Sequence, residues 1–153
     1  MSRITGSDDI QTRLTKVLFD LDKAADDAVL ATANDVRRDA IKSIQEPSPS
    51  HTVKRQRQGG GTYSHQAANE GEAPNTDKGG LVKSIATEHE KGSKSAFVGT
   101  GLEYGPHLEF GFKLKGVIYG PWPWLEPAKE AEEKNYPVNV QKALQQQIEK
   151  AGR

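Results

Sequence analysis

Apolar side chains recur at helical spacing through the first third of the chain: Ile10, Leu14, Val17, Leu18, Leu21, Ala25, Ala28, Val29, Ala33, Val36, Ala40 and Ile44. That stripe, with charge on the other faces, predicts one helix over residues 8–45. Ser7, Asp8 and Asp9 supply an N-cap and acids for the positive end of the helix dipole, and Arg37, Arg38 and Lys42 suit the negative end. Such a helix is roughly 55 Å long, at 1.5 Å per residue. A small domain does not cover that length, so part of the stripe is expected to meet another subunit. The stripe thins at Ala25, Ala28, Thr32 and Ala33, where small side chains permit a close helix crossing. The alternative is two shorter helices, broken near Ala31-Thr32 or at Asn34.

The pattern then disappears. Glu46-Pro47 ends the helix, and residues 47–80 combine Gly, Ser, Pro, Gln, Asn and charge with almost no large aliphatic side chain. This composition predicts a loop, or an extended hairpin arm ordered in an assembly. The arm is locally basic, with Lys54, Arg55 and Arg57 and no acid between Pro47 and Asn69. These three are the candidates for contact with nucleic-acid phosphates or with a neighbouring subunit; a solvated loop is the plainer alternative.

Alternation returns after a helical turn at Gly80-Leu81. Residues 84–90 read as a strand, Lys91 to Lys94 as a turn, and 95–100 as a second strand, the clearest hairpin in the chain. Residues 115–119 predict a third strand and 126–134 a charged helix. Asn135-Tyr136-Pro137 interrupts, and Val140, Leu144 and Ile148 mark a last helix ending at Gly152. The expected class is α+β: a long N-terminal helix and a C-terminal helix packed on a small antiparallel sheet. One domain is expected over 1–153, divided into the helix, the 47–80 arm, an 81–128 sheet region and a 129–153 helical segment.

Composition and charge sharpen this picture. The apolar fraction is 34%, against the usual ~45–50% counted with glycine, so the core is modest. Cysteine is absent, which excludes disulfides and thiolate metal sites and makes oligomerisation the expected source of further burial. Twenty-one basic residues balance twenty-one acidic ones, unlike the positive excess of a dedicated non-specific DNA binder. No apolar run approaches the ~20 residues of a membrane span. The chain is expected to be soluble and made in a cytoplasm.

Residues 99–111 and 119–128 hold half of the aromatic residues, half of the prolines and both tryptophans. Leu102 to Phe110 reads as a short helix with Tyr104, Leu108 and Phe110 inward and Pro106 in its first turn. Gly111 suits its C-cap. Pro121 and Pro123 stiffen the approach to the next helix, and Trp122 and Trp124 are expected to pack in the core. Tyr104, Pro106, Leu108, Glu109, Phe110 and Gly111, then Pro121, Pro123, Trp124, Leu125, Pro127 and Ala128, resemble the two signature blocks of the gene-product-ten family of HK97-type tailed phages. That family uses Tyr-Ala-Pro-x-x-Glu-Phe-Gly followed by Pro-x-Pro-Phe-Leu-x-Pro-Ala. Here Gly105 stands for the usual alanine and Trp124 for the usual phenylalanine. Gly80 to Ile85 resembles the family's Gly-x-Leu-x-x-Ser-Ile, with the leucine one place early. The likeness runs roughly from Gly80 to Ala128.

What the resemblance implies is a structural virion protein: a neck, head–tail connector or tail-completion subunit forming a sixfold or twelvefold ring around the DNA channel. Its implied partners are copies of itself and other connector and tail proteins, with passing contact to genomic DNA and none to a membrane. The rival reading is a small nucleic-acid-binding module using Lys54, Arg55 and Arg57.

Catalytic chemistry has little support. His51, His65, His89 and His107 include no pair at i, i+3 or i, i+4, so no metal site is expected. Gly59-Gly60-Gly61 lacks the lysine of a phosphate loop. Glu103, His107 and Glu109 form the one acid/base cluster close in sequence. For Glu109 the stronger reading is structural, a carboxylate accepting backbone N–H bonds that brace its turn. No catalytic, cofactor or metal residue is assigned, no cofactor is implied, and no enzyme is expected.

Overall fold

A computed structural model describes residues 7–46 and 48–152. The apolar stripe forms a single helix, α1 (Ser7–Gln45), with no break at Ala31-Thr32 or Asn34. Thr32 is accommodated because its hydroxyl donates back to the Ala28 carbonyl at 2.9 Å. Ala24, Ala28, Thr32, Ala33, Ala40 and Ile44 are buried along it. The Ser7 side chain, the expected N-cap, and Pro47, the expected stop, lie outside the described residues. After Gln45 one more helical bond forms, from Glu46 N–H to the Lys42 carbonyl at 2.9 Å.

The polar arm is an antiparallel hairpin of β1 (Ser50–Gln56) and β2 (Thr62–Ala68), pairing Val53 with His65 and Arg55 with Tyr63. Its tip closes through Arg57 N–H to the Gly61 carbonyl at 2.9 Å, across three glycines at positive φ. The chain continues through α2 (Gly80–Ser84), β3 (Ile85–His89), β4 (Ala96–Thr100), α3 (Tyr104–Phe110), β5 (Phe112–Leu114), β6 (Val117–Tyr119), α4 (Glu126–Glu133) and α5 (Tyr136–Ala151). The class is α+β, as the periodicities indicate.

The strands pair differently from expectation. Instead of one small sheet, the described residues form three two-stranded antiparallel sheets, β1–β2, β3–β4 and β5–β6. Residues 117–119 do not extend the β3–β4 hairpin; they fold back onto 112–114. The cause is local. Lys115 (φ 48°) and Gly116 (φ 85°) both take positive φ, the requirement of the two-residue turn whose twist matches paired strands. Pro137 does not delay the last helix either, because it sits in the first turn of α5, where its missing N–H removes no ladder bond.

The core lies near the C-terminal end of α1. Ala40 and Ile44 meet Leu81 of α2, Ile85 of β3, and Trp124 and Ala128 at the start of α4, with Val36, Ile41, Val82, Val98, Leu108 and Leu125 packed around them. Arg37 Nε donates to the Ile85 carbonyl at 2.8 Å, tying the helix to β3. α1 packs against β3, β4, α4 and α5. At the other end, every residue from Asp8 to Lys16 is exposed.

Asp26, midway along α1, locks the β3–β4 turn. Its Oδ2 accepts Gly92 N–H at 2.8 Å and lies 3.2 Å from His89 Nε2, and its Oδ1 accepts Lys94 N–H at 3.0 Å. His89 Nδ1 lies 2.8 Å from the Ser95 carbonyl. Protonated His89 donates at both ring nitrogens, and neutral His89 at one. The Ser95 carbonyl and then Asp26 therefore raise His89 above its ordinary 6.5, against the effect of burial. The Gly92 N–H, then the Lys94 N–H and His89, hold Asp26 below 3.8, again against burial. By linkage, the Asp26 contribution is present above 3.8 and lost as pH falls through its depressed folded value. The His89 contribution is present below 6.5 and lost as pH rises through its raised folded value. His65 acts with the opposite sign, since burial lowers its pKa, so the informative measurement is a difference. Thermal midpoints of wild type and His89→Gln should diverge most below pH 6.5 and converge on the alkaline side. A pH-independent gap would show that His89 contributes through packing alone.

Candidate assembly interface

α3 is short, and its inward face is not the expected one. Gly105 and Glu109, at i and i+4, are buried, and Leu108 is half-buried against the core. Tyr104 and Phe110 point out, 45% and 78% exposed. The reason is the carboxylate of Glu109. Its Oε2 accepts the N–H groups of Trp124 at 2.8 Å and Leu125 at 2.9 Å, and its Oε1 accepts that of Glu126 at 2.9 Å. A helix leaves its first N–H groups without intrahelical partners, and Leu125, at the N-cap of α4, has no side-chain acceptor. Glu109 supplies that cap from a distant part of the chain, with its charge at the positive end of the helix. The bonds thus run from the first signature block to the second, rather than within the turn that carries Glu109.

The rest of this joint follows. Trp122 N–H donates to the Leu108 carbonyl at 2.7 Å. Trp124 is buried in the core and its Nε1 donates to the Gly105 carbonyl at 3.4 Å. Half-buried Trp122 donates its Nε1 to the Ala68 carbonyl of β2 at 3.1 Å, and the Pro121 carbonyl accepts Gly71 N–H at 2.8 Å, so the arm is tied to the joint. Pro106 and Pro127 occupy the first turns of α3 and α4; both are exposed, Pro123 is half-buried, and Leu125 packs on the core. Gly111 follows α3 at φ 75° and ψ 174°, and a Cβ there would stand 2.7 Å from the Tyr119 carbonyl oxygen. Only glycine fits that position.

Gly105 is constrained by one neighbour. A Cβ there would lie 2.3 Å from Thr100 Cγ2, and Thr100 is held in place by its hydroxyl, 2.5 Å from Ser84 Oγ. Gly105→Ala is expected to destabilise by about 1–3 kcal/mol, as overpacking does. Thr100→Ser removes the methyl and keeps the hydroxyl, so the double variant should recover most of that loss. Urea unfolding of the four-member cycle measures the coupling.

Among the described residues, the exposed apolar surfaces include the β5–β6 hairpin, the outer stripe of α1 and the face of α5 that carries Tyr136 and Ile148. The β5–β6 hairpin projects as a tongue. Phe112 stacks on Tyr119 at 5.2 Å between ring centroids and meets His107 edge-on at 5.9 Å. Leu114, Val117 and Ile118 are exposed, Ile118 by 72%. On α1, Ile10, Leu14 and Leu18 continue the core stripe outward and are exposed, Leu14 by 57%. Sequence periodicity locates the second surface. It misses the first, of which residues 115–119 alone read there as one strand of a sheet.

The basic arm is partly neutralised. Arg55 Nη1 donates to Asp77 Oδ2 at 2.9 Å, and the Tyr63 hydroxyl donates to the same oxygen at 2.5 Å. Tyr63 first, then Arg55, hold Asp77 below its ordinary value despite burial. Lys54, Arg55 and Arg57 are all exposed on the arm, Arg55 with its charge paired to Asp77. This cluster borders a cleft of about 640 Å³ between the arm, the 74–81 segment and α3, with Leu108 and Trp122 on its apolar side. Nothing in the sequence signals the cleft, because the pairing of Arg55 with Asp77 spans 22 positions. Glu103 and His107 are exposed while Glu109 is buried, so the sequence cluster of acid and base is dispersed. Among the described residues, no group of three or more His, Asp or Glu side chains could hold a metal ion, and no helix is long and apolar enough to cross a membrane.

Neither a curated protein nor a solved structure matches the chain. A family model does: "Bacteriophage HK97-gp10, putative tail-component" matches residues 8–111. The matched span runs from α1 through the arm and the β3–β4 hairpin to Gly111, and stops before the second signature block. That match covers well over half of the 153 residues, and the chain belongs to the HK97-gp10-like family of phage tail components.

Proposed function

We propose that this chain is a structural subunit of a tailed-phage virion, acting at the neck or in tail completion as part of a ring around the DNA channel. Membership of a tail-component family supplies the class. The observation that carries the finer reading is a small core beside separate exposed apolar surfaces, among them the outer stripe of α1 and the β5–β6 tongue. Surfaces of this kind on a small chain mark protein–protein contact. A closed ring uses two different patches per subunit, each meeting the other patch on the next copy. Its partners beyond itself are connector and tail proteins above and below. The Glu109 joint and the two signature blocks serve as scaffold, setting the direction in which the tongue leaves the core.

Disrupting the gene in the phage, with complementation from a plasmid, tests this reading. Filled heads without tails, or tails that fail to join them, are expected, together with cryo-microscopy density for this chain at the junction of complemented particles. Infectious virions that lack the polypeptide would overturn it.

A further inference from the structure

The tongue and the outer stripe of α1 both expose large apolar side chains. We infer that the β5–β6 hairpin of one copy seats on the Ile10-Leu14-Leu18 stripe of the next, and that this is the repeating contact of the ring; the inference rests on the ring reading above. Three observations lead to it. First, the sizes correspond: a three-residue strand is about 10 Å long, and Ile10 to Leu18 spans about 12 Å of helix. Second, the charges are opposite. From Phe110 to Leu125 the chain carries Lys113 and Lys115 and no acid, whereas the outer turns of α1 carry Asp8, Asp9 and Asp20 against Arg13 and Lys16, with Asp22 paired to Lys94. Third, the two patches lie at opposite ends of one molecule. Leu108, just before the tongue, packs on the cluster that contains Ile44, and Leu18 is about 39 Å back along the helix from Ile44. The tongue cannot reach its own stripe, so the match is satisfied only between copies. The contact is head-to-tail, the kind that closes by rotation into a ring.

The chain has no cysteine, which makes engineered pairs clean. A Leu14→Cys, Ile118→Cys double variant treated with a short bis-maleimide should give a ladder of oligomers. Mixed single variants should give only dimers, and each single variant alone none. In sedimentation, Ile118→Glu should raise the concentration for half-association by about tenfold or more, and Ile118→Lys by less, because it keeps the charge match. Oligomers that form without this cross-link, or single variants that link to themselves, overturn the proposed contact and leave the ring reading standing. A chain that stays monomeric in solution and is absent as a multimer from virions overturns both.

Discussion

Glu109→Ala is expected to lower unfolding stability by about 3–5 kcal/mol, a large share of what a domain of this kind possesses. One carboxylate holds three backbone N–H groups, of Trp124, Leu125 and Glu126. Charge-assisted bonds contribute about 1.5–3 kcal/mol each at most, and losses within one shared network do not add. The cost is high because two of the partners are shielded from water: Trp124 is buried and Leu125 packs on the core. Glu109→Gln should lose less, about 1–3 kcal/mol, since one acceptor oxygen remains while the amide donor faces N–H groups. Urea denaturation followed by tryptophan fluorescence measures both. A Glu109→Ala protein of wild-type stability would remove Glu109 as the cap of α4.

Trp124→Ala should cost about 3–5 kcal/mol, the usual range for truncating a buried aromatic. The ring sits among Ala40, Ile44, Leu81, Ile85 and Ala128, a core with few other large side chains, so nothing nearby can collapse into the space. Trp124→Phe is expected to be mild, about 1–2 kcal/mol, because most of the apolar volume stays and the Nε1 bond it removes is long, at 3.4 Å. Combining Glu109→Ala with Trp124→Ala should cost less than their sum, since both act on the same α3–α4 joint. Full additivity would mean that the cap and the core are independent.

These two residues also show how sequence and tertiary structure divide the information. Glu109 lies inside the span that the family model matches and Trp124 beyond it, and a structural role for each is legible from the sequence: a carboxylate beside a turn, a tryptophan between prolines. The direction of the Glu109 bonds is not legible. They join positions 15 to 17 apart, and no local period reports which backbone groups a folded chain leaves unpaired. The same limit explains Tyr104 and Phe110. Helical spacing makes them inward candidates, but the face that turns inward is the one carrying the carboxylate that must reach α4, and the aromatic residues are left outside.

The amino-acid sequence by itself determined the α+β class, the unbroken character of most of α1, the β3–β4 hairpin and the last helix, because each depends on interactions within a few residues. It also determined that burial would be scarce, since the apolar fraction is only 34% and residues 47–80 carry almost no large aliphatic side chain. Tertiary structure alone decided that the strands pair as three separate hairpins, that Asp26 holds the Gly92–Lys94 turn, that Arg55 is committed to Asp77, and that the tongue and the outer stripe stay uncovered. Those outcomes depend on which distant surfaces come together and which run out of partners, and the physical cause is that burial is decided by the whole fold at once while periodicity is decided turn by turn.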